Sequence, residues 1–162
     1  MFEVVCNTSP IQYLYQLDLL HILPSLAKQV TVPPAVTEEL AQGRALGVSL
    51  PDPTTLDWVT VRRPASEIAL PLVTDIGPGE TEVLMLALES RHAVAVLDDA
   101  LARRVAETLG LRLTGTLGLL IDAKHAGLIA AVAPLLDKLD SLRFRLAVHT
   151  RLAVLKLAGE GL

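Results

Sequence analysis

The sequence predicts an α/β fold with a short, mostly parallel sheet, and three observations carry that expectation. Short β-like runs alternate with helical stretches along the chain, the pattern of βαβ units. Apolar residues make up 51% of the chain and aromatics only 3%, so Leu, Val, Ile and Ala must build the core. That palette suits helices packed on a buried parallel sheet. The length of 162 residues allows one domain with a substantial core but is short for two. Residues 1–162 therefore read as a single domain, with the helices beyond about residue 128 packed on the core.

The elements follow in order. Residues 3–6 form a short apolar strand that stops at Asn7, and Thr8, Ser9 and Pro10 are a helix-start signal. Ile11, Leu14, Tyr15 and Leu17 share one face of the helix that follows, and 19–27 reads as a second helix. Residues 30–32 are strand-like and end at Pro33 and Pro34; a helix over 35–42 is expected to end at Gly43. Residues 44–57 read as a loop, 58–61 as a short strand and 62–78 as a connection rich in Pro and Gly. A strongly apolar helix over 80–90 precedes a strand over 93–97, which ends at Asp98 and Asp99. A helix over 100–109 ends at Gly110, a last strand over 111–113 ends at Thr114, and helices are expected over 116–126, 129–139 and 147–158.

Several function classes drop out. No apolar run approaches the roughly 18 residues that mark a membrane span, and the longest, 129–136, contains Pro134. Glu3 and the absence of a basic flank argue against a signal peptide. Cys6 is the only cysteine, so a reducing cytoplasm is the expected setting. His21, His92, His125 and His149 are scattered without zinc spacing. Gly77, Pro78 and Gly79 do not continue into a dinucleotide-binding motif, since Glu82 stands where the third glycine belongs. A phosphoacceptor receiver would place an acidic pair after the first strand, where this chain has Asn7 and Thr8.

Charge is unevenly spread. Residues 1–100 carry 5 basic against 13 acidic side chains, a net of −8, and residues 101–162 carry 9 against 5, a net of +4. An acidic metal site beside a basic rim that guides phosphates fits this split, as does an ordinary solvated surface.

Parallel sheets bind ligands beyond the carboxyl ends of their strands. The polar residues expected there are Asn7, Asp98, Asp99 and Thr114. Asn7 offers a neutral oxygen ligand, although Asn is also a common turn residue. One Asp at a helix start is explained by the helix dipole, but two adjacent carboxylates repel unless a cation or solvent separates them. Mg²⁺ favours such oxygen ligands. Glu80 shares a helical face with Val83, Leu84 and Ala87, which aims it at the sheet end, whereas Glu82 points elsewhere. Glu38 and Glu39 lie near the expected C-terminus of their helix, where acids oppose the dipole; surface solvation accounts for Glu38. Thr114 and Thr116 can hold a phosphate or a metal-bound water, or simply cap the next helix. Arg103 and Arg104, one turn past the acidic pair, can contact phosphates or form a solvated face.

The stretches VVCNTSPI, TVPPAVTEEL, GPGETEVLMLAL and AVAVLDDALARRVAETLGLRLTGTLGLL, in that order, resemble the PIN-like nucleases, in particular an uncharacterised prokaryotic branch of them. The resemblance spans residues 3 to about 127 and is expected to extend to the C-terminus. It implies a three-layer α/β/α fold and metal-dependent ribonuclease activity with Mg²⁺ or Mn²⁺ on an acidic cluster. The family's acids fall on Asn7, Glu39, Glu80 and either Asp98 or Asp99. The first of these is usually Asp, and Asn7 departs from the pattern by bringing no charge. Many relatives are toxins of toxin–antitoxin pairs and many dimerise, so RNA, an antitoxin protein and a second copy are the implied partners. The alternative is a catalytically weakened module that acts through RNA or protein binding.

Overall fold

The computed structural model describes residues 1–65 and 75–161. Five strands form one parallel sheet: β1 Glu3–Cys6, β2 Gln29–Val32, β3 Val59–Val61, β4 Ala93–Val96 and β5 Arg112–Thr114, in the order β3-β2-β1-β4-β5. Among the described residues eight helices flank it: α1 Thr8–Gln16, α2 Ile22–Leu26, α3 Pro34–Ala45, α4 Pro78–Glu89, α5 Ala100–Thr108, α6 Thr116–His125, α7 Ala133–Ser141 and α8 Val148–Leu157. The fold is the expected three-layer α/β/α arrangement. Every residue of β1 is buried, as a central parallel strand covered on both faces requires.

Register places the site. Glu3 pairs with Gln29 on one side of β1 and with Ala93 on the other, and Cys6 pairs with Val96. The chain runs outward from β1 to β2 and β3, then returns to the opposite side for β4 and β5. The order therefore reverses between β1 and β4, and a crevice opens at their carboxyl ends. Leu136 and Leu139 of α7 and Val154 of α8 belong to the same buried core as Val4, Val5 and Val96.

Several boundaries differ from the sequence reading. The helix expected to end at Gly43 runs on to Ala45, and the left-handed capping glycine is Gly47, at φ 86°. Gly43 is needed for a different reason: Leu50 occupies the space where its side chain would stand. Glu38 and Glu39 are therefore mid-helical, and the argument from an unfavourable C-terminal dipole does not apply to them. The helix expected over 19–27 shrinks to Ile22–Leu26, which puts Pro24 in its first turn, where a missing N–H is harmless. By the same rule α7 begins at Ala133, beside Pro134, and α4 at Pro78. The loop over 44–57 contains a short 3-10 turn, Pro53–Thr55. The part of the 62–78 connection over 66–74 lies outside the described residues.

Candidate active site

Asn7 ends β1 and precedes α1; its backbone N–H donates to Val96 O, which ties it to the end of β4. Its side chain is buried, at 4% exposure, and Oδ1 has no hydrogen-bond partner among the described residues. An unpaired buried carbonyl oxygen costs roughly 1–3 kcal/mol, so something is expected to use it.

Glu39 comes to the same corner from α3. Its carboxylate accepts from Thr8 Oγ1 and from the Gly79 N–H at 3.2 Å. A Cβ on Gly79 would lie 2.8 Å from Glu39 Oε1 and 2.9 Å from Asn7 Oδ1. Glycine at 79 thus allows the start of α4 to approach the two oxygens; any side chain would fill the space they face.

Asp98 and Asp99 have different positions. Asp99 is the N-cap of α5, its carboxylate accepting from the Ala102 N–H at 2.9 Å. Asp98 points across the crevice, where it accepts from Ser9 Oγ at 3.1 Å, Thr116 N–H at 2.8 Å and Thr116 Oγ1 at 2.7 Å. The sequence left these two carboxylates undivided; the cap geometry separates them. Thr116 is fully buried and serves Asp98 at the first turn of α6. Thr114 lines a neighbouring hollow with Asp98 and Arg103.

Glu80 sits in the first turn of α4, with Val83, Leu84 and Ala87 buried behind it as expected. Its carboxylate has no hydrogen-bond partner among the described residues and lines a cleft of about 600 Å³ together with Ser9, Tyr13, Asp98, Asp99, Arg143, Phe144 and Arg145. Glu82 does point elsewhere, to the Ala35 N–H at the start of α3. Arg103 donates to Leu97 O at 2.8 Å and edges the hollow beside Asp98. Arg104 is exposed and lines neither space.

Two neighbours feel the acidic crevice. Burial, with a smaller push from the Asp98 charge, raises the Cys6 thiol to about 12, so it stays protonated. The same two causes raise the Tyr13 phenol above its ordinary value.

Every donor at this crevice is an oxygen, the set a hard divalent cation prefers, and Asn7 Oδ1 is uncommitted; by their chemistry the residues fit such an ion. Among the described residues, however, no group of three or more Asp, Glu, His and Cys stands close enough together to hold one unaided. The Asn7–Glu39 corner and the Glu80–Asp98 cleft are linked through adjacent residues, Thr8 and Ser9 on one side and Gly79 and Glu80 on the other.

A family model described as a PIN domain (DUF3368) matches residues 3–160. The chain belongs to the PIN domain family. A comparison with curated proteins gives no significant match. The PIN domain is a nuclease-type fold whose members typically use divalent metals, and the crevice at β1 and β4 is where this PIN domain gathers its acids. The sequence reading did not single out Arg143, Phe144 and Arg145. Their only signal was an aromatic flanked by two arginines in a chain with two phenylalanines.

Proposed function

We propose that this PIN domain is a Mg²⁺- or Mn²⁺-dependent ribonuclease that hydrolyses phosphodiester bonds in the crevice between β1 and β4. The observation that carries the reading is Asn7 Oδ1, buried without a partner among the described residues and facing, with Glu39, the space that Gly79 keeps open. Asn7, Glu39, Glu80 and Asp98 would hold the ion, with Asp99 the outlying member because its carboxylate already caps α5. When bound, such an ion lowers the pKa of water and offsets charge on the phosphoryl oxygens.

The chain's own contribution is orientation. Ser9 and Thr116 fix the Asp98 carboxylate, and Thr8 with the Gly79 N–H fixes Glu39. Preset hydrogen bonds of this kind remove rotational freedom before substrate arrives. Glu80 has no hydrogen-bond partner among the described residues and lines the cleft. Arg103, held at Leu97 O, keeps its remaining donors for a phosphate. Thr114 stands in the same hollow, and Arg104 meets only an extended strand.

The test is Mn²⁺ calorimetry on the wild type, Asn7→Asp and Glu80→Ala, with RNA cleavage in the same buffers. Metal binding and cleavage that both disappear in Glu80→Ala support the ribonuclease. A second reading, a weakened site acting through RNA or protein binding, is favoured by the uncharged Asn7. An inert wild type with a gain in Asn7→Asp would select it, and no binding by any of the three would remove the metal site altogether.

The family resemblance extends the proposal to the toxin of a toxin–antitoxin pair, working in the cytoplasm as one domain over 1–162. No helix among the described residues is long and apolar enough to cross a membrane. Exposed Val148 and Leu152, one turn apart on α8, support an apolar contact with an antitoxin or with a second copy in a homodimer.

A further inference from the structure

The turn between α7 and α8 places three residues on the edge of the acidic crevice. Arg143 and Arg145 line the cleft that holds Glu80 and Asp98, with Phe144 between them. Both arginines are exposed, and neither side chain has a hydrogen bond or ion pair among the described residues. Arg151, Arg62 and Lys124, by contrast, are paired with Asp137, Glu3 and Glu160. The Phe144 ring is held edge-on against Tyr13, centroids 5.0 Å apart at 84°, and both rings line the cleft.

The backbone at Arg143 is the second observation. Four helices of this chain are followed by a glycine in the left-handed region: Gly47, Gly110, Gly127 and Gly159, at φ 86°, 72°, 74° and 77°. After α1 the position is Asp18 at φ 59°, a short polar residue that tolerates the conformation. After α7 it is Arg143 at φ 67°, and the Phe144 N–H closes the helix end onto Leu139 O. A long side chain gains nothing locally from a site where glycine is the favoured residue. Strain of this kind, observed in a cleft wall, points to a role outside folding.

We propose that Arg143, Phe144 and Arg145 form a nucleotide-gripping subsite: the two guanidinium groups take successive phosphates of the substrate strand, and one unstacked base lies against the Phe144–Tyr13 aromatic wall. The repulsion between a polyanion and Glu80, Asp98 and Asp99 is offset at the rim by two unpaired cations. A base stacked on an aromatic wall must leave its duplex partner, so the subsite favours single strands. This rests on the reading of the crevice as a nucleic-acid site and is separable from catalysis, since binding needs no turnover.

The experiment is fluorescence anisotropy of a labelled single-stranded oligoribonucleotide and of its duplex, in EDTA and again in Mg²⁺, with thermal melts alongside. The proteins are the wild type, Arg143→Gly, Arg145→Ala and Phe144→Leu. Arg143→Gly should melt at or above the wild-type temperature and yet bind the single strand about tenfold more weakly, with a salt slope reduced by about 0.7. Arg145→Ala should lose a similar amount. Phe144→Leu keeps apolar bulk, so it should weaken the single strand by about tenfold and leave the duplex unchanged. Unchanged affinity and salt slope in both arginine variants would overturn the subsite, as would a wild type that binds neither oligonucleotide in either buffer. Cleavage that ignores the turn would sink the subsite alone, whereas turn-dependent binding without cleavage would sink the ribonuclease reading alone.

Discussion

Ser9 Oγ lies 3.1 Å from Asp98 Oδ2, a hydrogen bond thrown across the crevice between β1 and β4. With Thr116 on its other side, Asp98 is fixed as a donor-held carboxylate, while the adjacent Asp99 turns back to cap α5. Two neighbours in sequence therefore face different ways, Asp98 into the crevice and Asp99 back onto α5, and under the proposed function they divide between metal binding and folding. Asp99→Ala should cost about 1 kcal/mol of cap energy, or about 2–4 °C in melting temperature, and keep Mn²⁺ binding. Asp98→Asn should keep most of the stability and lose most of the Mn²⁺ binding. Calorimetry and melts on both variants check this, and equal effects on metal binding would refute the division.

Gly79→Ala is expected to disable the corner without touching an acid. The added methyl group would meet Glu39 Oε1 and Asn7 Oδ1 at 2.8 and 2.9 Å, too close for either to stay in place. A destabilisation of about 1–3 kcal/mol should accompany a loss of Mn²⁺ affinity. Denaturant unfolding gives the first quantity and calorimetry the second. Wild-type metal affinity in this variant would show that Asn7 and Glu39 are not part of the site.

Asn7→Asp should behave in opposite ways with and without metal. In EDTA it buries a new carboxylate beside Glu39, so the variant should melt below the wild type. With Mn²⁺ the added charge becomes a ligand, and the melting temperature should rise more steeply with Mn²⁺ concentration than it does for the wild type. Parallel melts across a metal titration decide it; identical dependence in both proteins would count against Asn7 as a ligand.

Acid sensitivity should trace partly to Glu160, far from the crevice. The Val132 N–H, the Lys124 ammonium and the Ala133 N–H hold its carboxyl at about 2, against an ordinary 4.5. A depressed folded value means the stabilisation is fully present above the ordinary value and fades as pH falls from 4.5 towards 2. Glu160→Gln should therefore be less stable than the wild type at about pH 6, with the gap narrower but still present at about pH 3. Unfolding curves at the two pH values test it; a gap independent of pH would place the effect elsewhere.

How far the fold could be read from the sequence depended on whether local signals decided the outcome. The strand ends at Asn7, Asp98 and Thr114 were legible because an apolar run stops there and a helix start follows. Gly43 misled because a glycine chosen for close packing against Leu50 looks in sequence like a cap. The inward aim of Glu80 followed from helical spacing, and its neighbours Val83, Leu84 and Ala87 are buried as that spacing requires. The split between Asp98 and Asp99 was not legible, since either could have filled the cap. The Arg143–Arg145 turn was hidden for a different reason: it meets the crevice through long-range packing such as that of Phe144 on Tyr13, some 130 residues away in the chain, and such contacts leave no periodic trace.

The strand order has a consequence for synthesis. β1 leaves the ribosome first but is the middle strand, and its partner β4 arrives only near residue 96. Until then the edge of β1 that pairs with β4 has no neighbour, and Val4, Val5 and Cys6, fully buried in the finished fold, lack part of their cover. The hydroxyl and amide that orient Asp98 come later still, from Thr116. A nascent chain that stops short of Thr116 can carry Asn7, Glu39 and Glu80 but lacks the groups that orient Asp98, so the crevice is assembled late in translation.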